Sequence, residues 1–75
     1  MPRKSASANP VYKIVEVVGS SPTSWEDAAR SAVESAAKTL SNLRVAEVTK
    51  LDMKIDNGKV VAYRARVSMS FKCEG

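Results

Sequence analysis

The chain has no histidine and a single cysteine, and its 75 residues include one tryptophan, two tyrosines and one phenylalanine. Each scarcity excludes something. Without histidine, Cys73 has no partner for a Cys–His nucleophile, and zinc sites built from both residue types are ruled out. One cysteine cannot form a disulfide within the chain. The carboxylates are scattered rather than clustered, so no general acid–base couple is in view. These absences describe a protein that is not an enzyme. No apolar run approaches the length of a signal peptide or a membrane span, so no membrane partner is expected and the expected location is cytoplasmic. There is no aromatic ladder and no basic helix face. The net charge of +4 therefore reads as a generic charged surface rather than a nucleic-acid site. A chain this short also buries little of its surface. With disulfides and Cys/His zinc excluded, self-association is the remaining means of stabilising it.

What is present is orderly. Residues 1–10, "MPRKSASANP", carry Arg3 and Lys4 without an acid and read as a flexible basic arm. Residues 11–75 then read as a single domain. "VYKIVEVV", residues 11–18, is rich in β-branched residues and predicts a strand, with Gly19 as its end. "TSWE" follows, where Thr23 and Glu26 have capping-box spacing; Ser24 with Asp27 is the alternative cap. Trp25, Ala28, Ala29, Ala32, Val33, Ala36, Ala37 and Leu40 recur at helical spacing and predict an amphipathic helix. Trp25 lies in register with that stripe. It reads as an anchor that packs the helix onto a sheet rather than as a stacking platform. "SNL", residues 41–43, ends the helix.

The remainder predicts a hairpin, 43–56 with 59–72, joined at "DNGK", where Asn57 and Gly58 suit a type I′ turn. Asp56 then faces Lys59, and continuous pairing from that point defines two faces. One holds Tyr63, Ala65, Val67 and Met69 opposite Asp52, Lys50, Val48 and Ala46, and is the expected helix side. The other gathers Leu51, Met53, Ile55, Val60 and Ala62 into an apolar cluster near the turn. One helix cannot cover both faces, so this cluster and the open sheet edges predict contact between copies. The fold class is α+β: a β–α–β–β chain with a three-stranded antiparallel sheet wrapped on one helix, the first strand pairing with the third.

The segments "VYKIVEVVGSSPTSW" (11–25), "LRVAEV" (43–48) and "YRARVSMSFK" (63–72), together with the alanine-rich helix, resemble the dodecins. The resemblance implies a hollow homododecamer that binds, stores or sequesters a small ligand or ion without catalysis. In flavin-binding dodecins a tryptophan stacks on the isoalloxazine ring and a glutamine hydrogen-bonds its edge. The matching positions here are Val45, in "RVAEV", and Arg64, in "YRA". Valine has no π face and arginine has no acceptor. The resemblance thus implies weak or absent stacking of flavin, whether FMN or riboflavin. "GSSPTSW", "DM" at 52–53 and "YR" at 63–64 are similar to a branch of the family associated with calcium. Asp52 and Asp56 are the candidate metal ligands, and Glu47 falls on the face opposite Asp52 in the expected register. Two other functions compete: a flavin-storage dodecin, and a nucleic-acid or protein-partner module that uses the basic arm.

Overall fold

The computed structural model describes residues 9–73. The arm expected over residues 1–10 lies outside them, apart from Asn9 and Pro10. The elements run β1 (Tyr12–Ser21), α1 (Trp25–Ala37), β2 (Leu43–Asp56) and β3 (Lys59–Lys72). All strand pairs are antiparallel, in the order β1-β3-β2. The β–α–β–β order and the central place of β3 match the expectation.

Gly19 does not end β1. The strand continues to Ser21, and Gly19 lies where the helix backbone comes close against the sheet. A Cβ placed there would collide with the carbonyl oxygen of Ala28 and lie 2.9 Å from the Ala32 Cβ. The absence of a side chain is what lets the backbone of α1 settle onto β1. The alanine stripe serves the same contact. Ala28 and Ala32 are buried against Ala65, Val67 and Met69 of β3, with Val17, Ala29, Val33, Ala36 and Leu43 packed around them.

The helix begins at the alternative cap. Ser24 has extended backbone angles and its Oγ accepts from the Asp27 N–H at 3.0 Å. Glu26 and Asp27 place acidic charge at the positive end of the helix. The helix ends at Ala37, before the stripe reaches Leu40. There the Ala36 carbonyl accepts from the N–H groups of both Thr39 and Leu40, at 3.1 and 2.8 Å. Asn42, with φ of 63°, then turns the chain into β2.

At the hairpin tip Asn57 and Gly58 have φ of 54° and 77°, the positive pair that a type I′ turn requires. Pairing is as expected for Asp56↔Lys59 and Ile55↔Val60, and then it slips. Val61 is an extra residue in β3, so Lys54 pairs with Ala62, Met53 with Tyr63 and Asp52 with Arg64. Thr49 is an extra residue in β2 and restores the expected pairing at Val48↔Val67, and a third shift occurs at Arg44. Such bulges add local twist to a long hairpin. A one-residue slip exchanges the faces of every residue within it. Leu51 and Met53 therefore lie on the helix side, opposite Ala65 and Tyr63, while Lys50 and Asp52 lie on the far side. This corrects the continuous register. It also places Glu47 and Asp52 on the same face, not on opposite ones.

The helix covers β1 and β3 and reaches β2 only near Leu43 and, through Trp25, at Asp52. Along β2 only Leu43 is half-buried. Val45, Val48, Leu51, Met53 and Ile55 are 61, 46, 53, 45 and 56% exposed. Nearest the turn, exposed Ile55, Val60 and Val61 lie on a two-stranded ribbon that β1, which ends opposite Tyr63, does not reach.

Candidate functional site

The register slip brings Asp52 and Arg64 directly opposite each other on the face away from α1. Arg64 Nε donates to Asp52 Oδ1 at 2.7 Å, and Nη2 donates to Oδ2 at 3.0 Å. This is a two-pronged fork, the strongest geometry available to an arginine–carboxylate pair. Both side chains are about half exposed. The hydrogen bonds from Arg64 hold the Asp52 carboxyl below the usual carboxylate range, and the charges of Arg64 and Arg66 act in the same direction; desolvation opposes them. The same bonds raise the Arg64 guanidinium above its ordinary value.

Three further cations share this neighbourhood. Strand alternation puts Lys50 and Lys54 on the same face as Asp52, two residues to either side. Arg66, the partner of Lys50, is the next residue on that face of β3. Asp52 thus shares this face of the hairpin with four cationic residues, of which Arg64 and Arg66 act on its charge.

The backbone at Asp52 is fixed from the other side of the sheet. Its carbonyl accepts from Trp25 Nε1 at 3.0 Å. The Trp25 ring meets Tyr63 edge-on, with centroids 5.0 Å apart and planes at 70°. Trp25 thus ties the first turn of α1 across β3 to β2, which is the anchoring role expected of it. Favourable edge-to-face packing adds to its area burial. Sequence reasoning missed the other fixture of this end. Ser21 is 2% exposed, and its Oγ donates to Asp27 Oδ2 at 2.7 Å while accepting from the Thr23 N–H at 3.0 Å. The hydroxyl-rich run "SSPTS" was the available signal, but nothing in it distinguishes Ser21 from Ser20, which is exposed.

The other candidate positions lie apart. Asp56 is four residues along β2 from Asp52, roughly 13 Å at strand rise. Glu47, on the same face, is about as far in the opposite direction. Calcium needs six to eight oxygens at about 2.3–2.6 Å, so these acids of one chain do not converge on an ion. Among the described residues no three His, Cys, Asp or Glu side chains gather. Val45 pairs with Ser70 and is exposed. Beside it is a recess of about 160 Å³ bounded by Val33, Leu43, Arg44, Ala46 and Met69, well short of the roughly 300 Å³ at which small-molecule sites begin. From Ser70 to Arg64 is roughly 20 Å along β3. Within one chain Val45 and Arg64 cannot touch one small ligand; copies of the chain would have to bring them together. No described helix is long and apolar enough to cross a membrane.

Known proteins share this architecture. The family profile described as Dodecin matches residues 11–74. The calcium dodecin of Mycobacterium tuberculosis is 44% identical over 62 residues, which span 83% of this chain and 87% of that protein. A crystal structure of that calcium-chelating dodecin, described as having a novel calcium-binding site, superposes with a TM-score of 0.76 at 45% identity, covering 85% of this chain and 91% of the other. The dodecin of Streptomyces coelicolor superposes with a TM-score of 0.85 at 35% identity, covering 91% and 97%. With its element order, its sheet topology and nearly its whole length in common with these proteins, the chain belongs to the dodecin family.

Proposed function

We propose that the protein is a non-enzymatic, self-associating dodecin shell, a homododecamer, that holds a small ligand or ion at contacts between its copies. The observation that carries this reading is the uncovered β2. Val48, Leu51, Met53 and Ile55 are exposed on one face of that strand, which α1 leaves largely uncovered, and Val45 is exposed on the other. Contiguous apolar surface of this kind marks a partner surface, and a second copy supplies a partner with matching sheet edges. Flavin stacking is weak or absent in this shell. Val45 offers no ring, and Nε and Nη2 of Arg64 donate to Asp52. Kinship with the M. tuberculosis protein favours a divalent cation as cargo. Because the acids of one chain do not converge, a calcium site requires oxygens from more than one copy.

Native mass spectrometry of the purified protein, followed by equilibrium dialysis against calcium and against FMN, tests this reading. A twelve-subunit mass that retains calcium and not FMN is the expected result. A monomer sinks the shell, and tight retention of FMN sinks the account of Val45 and Arg64.

A further inference from the structure

The Asp52–Arg64 fork bears on which acids are open to a cation. Both oxygens of Asp52 accept from Arg64, at 2.7 and 3.0 Å. The pair is held from beneath, because the Trp25 indole N–H is bonded to the Asp52 carbonyl and Tyr63, next to Arg64, packs against the Trp25 ring. Lys50, Lys54 and Arg66 lie on the same face, and the Arg66 charge acts on Asp52. A divalent ion approaching Asp52 meets a carboxylate whose two oxygens are already committed and whose flanks are positive. We propose that Arg64 is a tethered counter-cation, a specificity-determining residue that occupies Asp52 and withholds it from divalent ions. Any calcium held by the assembled protein is then ligated elsewhere. The proposal deepens the cation-binding reading of the shell and assigns Asp52 a different role from that of a ligand.

Arginine suits this role better than lysine. Its planar fork satisfies both carboxylate oxygens at once, whereas an ammonium acts as a point charge. The position matching the family's glutamine is therefore not idle here: it carries the charge that neutralises the opposed residue.

Trp25 provides a local readout. It is the only tryptophan in the chain and is bonded to the backbone of Asp52. Terbium, a luminescent stand-in for calcium, emits under indole excitation when bound close to that ring. The experiment uses the full-length assembled protein, its mass checked for each variant. It compares wild type, Asp52→Asn, Arg64→Gln, Arg64→Lys and the Asp52→Asn/Arg64→Gln double variant in calcium dialysis and in Trp25-sensitised terbium emission. Asp52→Asn is expected to leave calcium affinity within about twofold of wild type. Arg64→Gln is expected to raise affinity for the ion at Asp52 by about tenfold, the order of effect for removing one adjacent unit charge that water screens, as at this half-exposed pair. Sensitised emission should appear with it and vanish in the double variant, with Arg64→Lys in between. A tenfold or greater loss of calcium on Asp52→Asn alone overturns the proposal, as does an Arg64→Gln protein of correct mass that gains neither affinity nor emission. A wild-type protein that binds no calcium defeats the cation-cargo reading, while the Arg64→Gln comparison still decides the role of Arg64.

Discussion

β3 and β2 are neighbouring strands of equal length with similar apolar content, yet they have opposite fates. Ala65, Val67 and Met69 of β3 are fully buried. Their partners on the same face, Leu51, Val48 and Ala46 of β2, are exposed. The difference is not in the residue types but in the reach of α1. An alanine-rich helix lies close to the sheet and covers a narrow strip, here β1 and β3. The first strand and the helix thus form a closed body with β3, while β2 and the hairpin tip form an open one. The closed body holds the chain together, and the open one gives it something to bind with.

The sharpest way to break the closed body is at Gly19. Gly19→Val should push α1 away from β1, because even a Cβ collides with the Ala28 carbonyl. A loss of about 3 kcal/mol or more is expected from this overpacking, and thermal unfolding by circular dichroism measures it. Retention of wild-type stability would mean that helix and sheet approach less closely than described.

The second prediction sets the two strands against each other. Met69→Ala should cost about 2–5 kcal/mol and lower the unfolding temperature similarly at every protein concentration. Leu51→Asp should change the stability of the single chain by only about 0.5 kcal/mol but reduce the assembly mass and its concentration-dependent stabilisation. If the two variants behave alike, the division into closed and open bodies fails.

Smaller effects refine the same picture at the helix start. Ser24→Ala removes the acceptor for the Asp27 N–H and should cost about 1 kcal/mol, read from denaturant midpoints. A Thr23→Ala effect larger than that of Ser24→Ala would return the cap to Thr23.

The smallest expected effect is with pH. The hydrogen bonds from Arg64 hold the folded-state pKa of Asp52 below its ordinary value. Its pair with Arg64 therefore contributes its stabilisation above that value and loses it as pH falls through the lower folded value. Unfolding temperature should be insensitive to this pair from neutral pH down to about pH 5. In more acid solution wild type should converge on Asp52→Asn. No difference between wild type and Asp52→Asn at neutral pH would mean that the fork is not formed in solution.

Much of this was legible in the residues, and the failures have physical causes. The helical stripe from Trp25 onward, the turn at Asn57-Gly58 and the pairing of first with third strand were readable. The first two depend on local spacing or on the special backbone freedom of particular residues. The bulges at Val61, Thr49 and Arg44 were not. A valine, a threonine or an arginine in a bulge looks the same in sequence as one in a regular ladder. What selects the bulge is the twist accumulated along a 14-residue strand pair. That loss carried over to the site. Continuous pairing separated Asp52 from Arg64 onto opposite faces, and one extra residue put them in contact. Gly19 was misread for a related reason: its neighbours mark a strand end, whereas its role is set by Ala28 and Ala32 on another element.

What the sequence by itself determined is therefore local: which segments are strand and helix, where the hairpin turns, and the exclusion of histidine-based catalysis and Cys/His zinc. Spacing along the chain encodes these because each depends on residues within a turn or two of one another. The tertiary structure alone decided which face each β2 side chain occupies, how far α1 shields the sheet, and that Arg64 clasps Asp52. Those outcomes depend on bulge positions and close approaches between distant segments, where moving one residue along a ladder reverses the result.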